Sequence, residues 1–160
     1  VHVHVSTVAR DEEYIEGGEL YVGLIGNQRL TAVPSWEMLF TRMPEGMARI
    51  ATRRVKWDAK TQKELGIKTG AAKHLPPGVD RQIIGICKRV YRCLSLSGYA
   101  RMDLRLAEDG QVYLLEANPN PNLAYGEDFA ESAERIGISY ETLLHRILNL
   151  GLNYKAAWRG

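Results

Sequence analysis

Arg101, Asp103, Glu116 and Asn118 have the types and spacing of a charged reaction site. They flank Glu108-Asp109-Gly110-Gln111, and Asp-Gly between two alternating runs is a preferred two-residue type I′ hairpin turn. Counting outward from that turn, Arg105 faces Leu114, Asp103 faces Glu116 and Arg101 faces Asn118 on one side of the ribbon. On the other side Leu106 faces Tyr113, Leu104 faces Leu115 and Met102 faces Ala117, an apolar layer that marks the core face. A three-residue loop would shift this register by one. Asp103 and Glu116 fall on a non-hydrogen-bonded pair, whose Cα atoms approach to about 4.5 Å. Like charges placed so repel. At ~4 Å and an effective dielectric of ~20 the cost is on the order of 4 kcal/mol. A shared proton, the flanking Arg101 and Arg105, or a bound divalent cation would each relieve it. Asp103, Glu116 and Asn118 offer oxygen only, which suits a hard ion such as Mg²⁺ or Mn²⁺ and not zinc.

These residues need a sheet to hold them. Glu19 to Ile25 alternates around apolar and β-branched residues and ends in Gly26-Asn27. Arg29 to Val33 and Ser35 to Phe40 continue the pattern across Pro34, so strand, tight turn, strand is predicted. From Thr41 to Gly78 the chain is polar, basic and punctuated by Gly and Pro, and reads as a long loop. Leu75-Pro76-Pro77-Gly78 then introduces the stripe Ile83, Ile84, Cys87, Val90, Tyr91 and Leu94 of an amphipathic helix. Strands follow at Tyr99–Leu106 and Gln111–Ala117, and helices at Asp128–Ile136 and Tyr140–Leu150, the last entered through Ser139 as N-cap. The order implies an α+β fold, an antiparallel sheet with helices packed on one face.

The chain of 160 residues is 45% hydrophobic and 25% charged, which excludes disorder, collagen and coiled coil and leaves room for one domain. At this size roughly 70% of the unfolded surface is buried, so no metal or disulfide staple is needed. No apolar run approaches the ~20 residues that cross a bilayer. Val1 to Val5 lack a basic segment followed by an apolar one, so no secretory signal and no membrane partner are expected, and the cytoplasm is the expected compartment. Cys87 and Cys93 sit about 9 Å apart along one helix, beyond the ~7 Å between Cα atoms that a disulfide tolerates. The net charge of +2 says little about partners, although Arg42, Arg49, Arg53, Arg54, Lys56 and Lys60 make one segment basic, facing either a phosphate-bearing ligand or solvent. No aromatic-basic interleaving points to nucleic acid. G-x-S-x-G and H-E-x-x-H are absent, and His2, His4, His74 and His145 lack ligand spacing.

Gly98-Tyr99-Ala100-Arg101-Met102-Asp103 and Leu114-Leu115-Glu116-Ala117-Asn118-Pro119 resemble the C-terminal ATP-grasp motif of the D-alanine D-alanine ligase group. Upstream, Glu12-Glu13-Tyr14-Ile15-Glu16-Gly17-Gly18-Glu19 resembles that group's adenine hinge, and the likeness runs from about Asp11 to Leu150. The resemblance implies that Asp103, Glu116 and Asn118 hold Mg²⁺ (or Mn²⁺) on the phosphates of ATP. Arg101 would stabilise the acyl phosphate and the tetrahedral species. Glu12 would accept from the adenine amino group, Glu13, Tyr14 and Ile15 would line the base, and Glu19 would take the ribose hydroxyls. Lys60 matches a phosphate-contacting lysine, though only Ala59-Lys60 is clear and an exposed lysine fits equally.

The implied reaction joins a small carboxylate to an amine through an acyl phosphate, with no side-chain nucleophile. After Asn118 the group continues with a loop that grips a substrate carboxylate. Here Pro119-Asn120-Pro121-Asn122-Leu123-Ala124 is followed by the acids Glu127 and Asp128, which points to an acceptor other than D-alanine. The resemblance makes residues 1–160 the C-terminal part of an ATP-grasp domain, its upstream lobe and substrate domain absent from this chain and supplied in cis or in trans, and it leaves a homodimer open. A non-catalytic module that keeps the lobe as a scaffold for a protein partner is the rival from another class.

Overall fold

The computed structural model describes residues 13–44 and 58–155. The expected strand-turn-strand reading of the first segment is met by β1 (Gly17–Ile25), β2 (Thr31–Ala32) and β3 (Trp36–Phe40). β1 is central: the sheet runs β4 (Ile67–Ala71), β3, β1, β5 (Tyr99–Ala107), β6 (Val112–Asn118), every neighbour antiparallel, with the short β2 beside the end of β1. β5 pairs with β1 along its whole length, from Gly17 opposite Ala107 to Ile25 opposite Tyr99. β6 closes one edge and β4 the other.

Alternation along these strands divides the molecule. Leu20, Val22 and Leu24 of β1 and Ala100, Met102 and Leu104 of β5 form an apolar face on which α2 (Val79–Cys93) lays Ile83, Cys87 and Tyr91. Burial pushes the Cys87 thiol up to about 12, while Cys93 is exposed, and neither is in a disulfide. The Tyr91 hydroxyl donates to the Gly26 carbonyl at 2.8 Å, fixing the helix to the end of β1. Asn27 ties in two further segments, accepting from the Gly98 N–H at 2.8 Å and donating to the Leu150 carbonyl at 3.1 Å.

The opposite face is not bare. At the Ile25 end, Phe129, Ala130 and Ala133 of α3 (Asp128–Glu134) and Leu143 of α4 (Tyr140–Leu152) cover Ile25 and Val33. The sheet therefore carries helices on both faces rather than one. The reason lies in β1, which is apolar on both sides at this end, and in Gly23, which leaves room for the Phe129 ring. Ser139 caps α4 as the sequence predicts, its hydroxyl accepting from the Thr142 N–H.

The predicted loop from Thr41 to Gly78 is corrected where it is described. It contains α1 (Ala59–Leu65) and the edge strand β4. Among their described residues neither has a fully buried side chain, so the apolar stripe is weak. The signals are the caps, with Asp58 accepting from the N–H groups of Lys60 and Thr61 and Gly66 taking φ 61° at the C-cap. Among the described residues no helix is long and apolar enough to cross a membrane.

A Cβ on Gly23 would stand 2.7 Å from both a Phe129 ring carbon and a Val33 methyl, whereas one on Gly85 of α2 meets nothing within 4 Å. Gly23→Ala is expected to cost about 1–3 kcal/mol by overpacking. Gly85→Ala should stabilise by about 0.5–1 kcal/mol through helix propensity. Urea denaturation of the two variants checks both signs.

Candidate functional site

The hairpin that carries the acids is built differently from its prediction, yet delivers the predicted pair. Its loop has three residues, Glu108, Asp109 and Gly110, closed by Ala107 N–H to Gln111 O at 2.9 Å and Gly110 N–H to Ala107 O at 3.0 Å. Gly110 takes φ 84°, the left-handed conformation that ends such loops. This shifts the near pairs by one. Leu106 faces Val112, Arg105 faces Tyr113 and Leu104 faces Leu114, in place of the expected Tyr113, Leu114 and Leu115. A bulge between Asp103 and Leu104 then inserts Leu115 as an extra residue and restores the original register beyond it. Asp103 therefore lies opposite Glu116, Met102 opposite Ala117 and Arg101 opposite Asn118. Leu115, expected in the core layer, is 49% exposed on the edge strand.

Asp103 and Glu116 sit in different surroundings. Asp103 is 1% exposed, and its two oxygens accept from Arg101 Nε at 2.7 Å and Nη2 at 2.8 Å. Glu116 is exposed and Asn118 half-buried, its Oδ1 accepting from the Asn120 N–H at 2.9 Å. Burial alone would lower the Arg101 pKa, but the hydrogen bonds and charge of Asp103, with help from Asp128, carry it upward. Arg101 remains a fixed cation. Among the described residues its hydrogen bonds run only to Asp103, so the Nη1 edge stays open.

A second ion pair lies two residues along the same face of β5. Arg105 Nη2 donates to Glu19 Oε2 at 3.0 Å, and Nη1 donates to the carbonyls of Ile15 at 3.2 Å and Gly17 at 3.4 Å. Both side chains are 4% exposed. Glu19 Oε1 accepts from the Tyr21 hydroxyl at 2.9 Å. The Tyr14 ring, half-exposed, stands 5.5 Å from the Arg105 guanidinium. The hinge is thus clamped from below by one arginine, a role that the sequence reading gave to neither Arg105 nor Tyr21. A third charge two residues beyond Asp103, in step with Arg101 and Asp103 on an alternating strand, was the available signal.

The remaining predicted residues lie around this column. Glu13 is exposed and Ile15 half-buried at the hinge, and Glu12 falls outside the described residues. Lys60 is exposed on α1 beside Glu64. Of the basic run, only Arg42 and Lys60 are described. An open cavity of about 450 Å³ adjoins Arg101 and is lined also by Tyr21, Lys68, Asn122, Glu127 and Asp128. Among the described residues no three acidic, histidine or cysteine side chains converge, so a cation at the hairpin would have two carboxylates and the Asn118 amide as protein ligands. That all-oxygen set fits Mg²⁺, which keeps several waters and binds phosphate alongside one or two carboxylates.

Residues 7–149 match the family model described as D-ala D-ala ligase C-terminus. The chain belongs to the D-alanine D-alanine ligase C-terminal family. An uncharacterised protein of Sinorhizobium fredii, y4sG, is 33% identical over 157 residues, covering 94% of this chain and 44% of its own length. The D-alanine–D-alanine ligase of Carboxydothermus hydrogenoformans is 28% identical over 147 residues, covering 88% of this chain and 42% of its own. The solved D-alanine–D-alanine ligase of Bacillus anthracis complexed with ATP superposes with a TM-score of 0.65 at 23% identity, over 88% of this chain and 40% of that one, and shares the fold. The chain spans less than half the length of these relatives.

Within this ligase-family lobe, Arg105→Met would leave the Glu19 carboxylate buried without its cation. A loss of about 3–5 kcal/mol is expected. Adding Glu19→Gln to that variant should recover part of the loss. Urea denaturation of both single variants and the double variant measures the coupling, and additive losses would show that the pair does not act as one.

Proposed function

We propose that this chain is the nucleotide- and metal-binding lobe of an ATP-dependent ligase that joins a carboxylate to an amine through an acyl phosphate. Family membership supports the reaction class, and the observation that carries it onto these residues is the column Arg101, Asp103, Glu116 and Asn118 beside the 450 Å³ cavity. ATP and Mg²⁺ or Mn²⁺ are the implied cofactors, with the complementary lobe supplied by a longer chain or a partner.

In this reading the hinge from Glu12 to Ile15 takes adenine and Glu19 the ribose. The orientation in which Glu19 would meet the ribose is set by its bonds to Arg105 and Tyr21. Asp103, Glu116 and Asn118 would hold the metal, which when bound would supply charge neutralisation at the phosphates. Sharing Asp103 between metal and Arg101 is within reach of a carboxylate, which offers about four lone-pair sites. A substrate carboxylate oxygen attacks the γ-phosphorus and ADP leaves. The amine then attacks the acyl carbon, phosphate leaves and the amine gives up a proton. Arg101, charged and open at Nη1, faces the anionic species of both stages, the electrostatic work that such steps require.

The acceptor is an amine other than D-alanine. Glu127 and Asp128 line the cavity and would repel a second carboxylate. Asn122 shares that wall.

In the native chain a non-hydrolysable ATP analogue with Mg²⁺ should stabilise by about 2.7 kcal/mol at 100 times its Kd. The Mg²⁺-dependent part should vanish in an Asp103→Asn, Glu116→Gln double variant. It should also weaken in Glu116→Gln alone, where the exposed site of substitution leaves the Arg101–Asp103 pair intact. A folded native chain without a metal-dependent shift would instead favour the scaffold module. Replacing residues 120–128 with the loop of a D-alanine ligase should change which amine stimulates phosphate release while nucleotide affinity stays; loss of both together would contradict the assignment of this loop.

A further inference from the structure

Tyr21 stands between the two ion pairs and touches both. It is 3% exposed and lies opposite Asp103 in the β1–β5 register. Its hydroxyl donates to Glu19 Oε1 at 2.9 Å and lies 3.8 Å from Met38 Sδ. Its ring lies 4.7 Å from the Arg101 guanidinium carbon, within the range of a cation–π contact. The same ring forms part of the cavity wall with Asp128 and Asn122. Burial, then the charge and hydrogen bond of Glu19, push the phenol pKa upward, so the hydroxyl stays a neutral donor.

Arginine has a long stem with much rotamer freedom to lose. Asp103 grips one edge of the guanidinium and fixes its in-plane direction. A second contact, on the face, is needed to stop the plane from tilting about that edge. Tyr21 is the residue whose ring meets Arg101 within contact range.

We propose that Tyr21 is a positioning residue for the ligase reaction, its ring holding the plane of Arg101 toward the cavity while its hydroxyl orients Glu19. One buried side chain then sets both the sugar-facing carboxylate and the phosphoryl-facing cation. The inference rests on the function proposed above, and its test separates the two.

The probes are a non-hydrolysable ATP analogue with Mg²⁺, reporting the Glu19 side, and inorganic phosphate bound beside ADP and Mg²⁺, reporting Arg101. Tyr21→Phe keeps the ring and loses the hydroxyl, so the analogue should bind about fivefold more weakly with phosphate affinity within about twofold of the parent. Tyr21→Leu loses both, and phosphate affinity should fall about tenfold. The return of phosphate affinity on going from Leu to Phe assigns the effect to the ring and not the hydroxyl, and ring fluorination then separates the face of the ring from its volume. Phenylalanines with increasing ring fluorination at position 21 hold shape while weakening the ring's negative face, which keeps the test valid should Tyr21→Leu fold poorly. Phosphate affinity should fall stepwise along that series at constant melting temperature. A flat series, with Arg101→Met strongly impaired for phosphate, overturns the Tyr21 assignment alone. Arg101→Met with undiminished phosphate binding overturns the role of Arg101 and this inference with it.

Discussion

Two carboxylates are held inside the central strands, Glu19 on β1 and Asp103 on β5, and each is kept there by one arginine of β5. Removing such a charge from water costs several kcal/mol unless a partner and hydrogen bonds accompany it. β5 solves this by alternation, since Arg101, Asp103 and Arg105 share a face at spacings of two. The solution holds in one register only. Sliding β5 by one residue against β1 would bury Met102 and Leu104 among the charges and turn both arginines toward Ile83 and Tyr91 of α2. The apolar face and the charged face therefore demand the same alignment, and agreement between the two is what makes a long, two-sided strand pair specific. The pairs are weak evidence for stability in themselves, because a well-packed apolar replacement can be as stable.

The hairpin shows how a local change can be absorbed without moving the site. A three-residue loop displaces the register by one and the bulge at Leu115 displaces it back, so the disturbance is confined to the stretch between them. The site begins where it ends. Bulges turn the strand that carries them and leave one residue unpaired, which accounts for the exposure of Leu115. Glu116, immediately past the bulge on an edge strand, is exposed opposite a buried aspartate. One acid of the pair is anchored and the other open, an asymmetry suited to gripping a ligand from solvent.

Legibility in the sequence followed the strength of the local physics. Alternation and the 3.6-residue stripe located β1, β5 and α2, because those elements bury one face deeply, and the Asp109-Gly110 turn located β6. The Asp103–Glu116 and Arg101–Asn118 pairs were found although the turn was read as two residues, because the turn and bulge errors cancel. The intermediate pairs, which lie between the two, were misplaced. α1 and β4 were missed because periodicity arises from burial and they bury little; Asp58 and Gly66 mark the helix by capping alone. α3 and α4 were legible as helices, but their place on the second face was not, because the signal was an absent side chain, the space at Gly23 that Phe129 fills. Tyr21 read as an ordinary strand residue and Arg105 as a neutraliser of the Asp103–Glu116 pair, since their partners lie far along the chain, Tyr21 with Arg101 and Arg105 with Glu19.

The loop that follows Asn118 is tied down by short-range bonds. Asn118 accepts from the Asn120 N–H, Asn122 from the Ala124 N–H, and the Tyr99 hydroxyl donates to Asn120. None of these contacts reaches Arg101 or Glu19. Arg101 in turn is fixed by Asp103 and Tyr21, on strands whose alignment the core enforces. The part of the cavity wall formed by Asn122 and Glu127 can therefore vary in sequence at small cost to the charged column that it faces, whereas the charge of Asp128 acts on Arg101. Under the reading proposed, this separates what binds the nucleotide from what chooses the acceptor. It explains how one lobe can keep Arg101, Asp103, Glu116 and Asn118 in place while carrying acids where a carboxylate-binding loop would need neutral or basic groups.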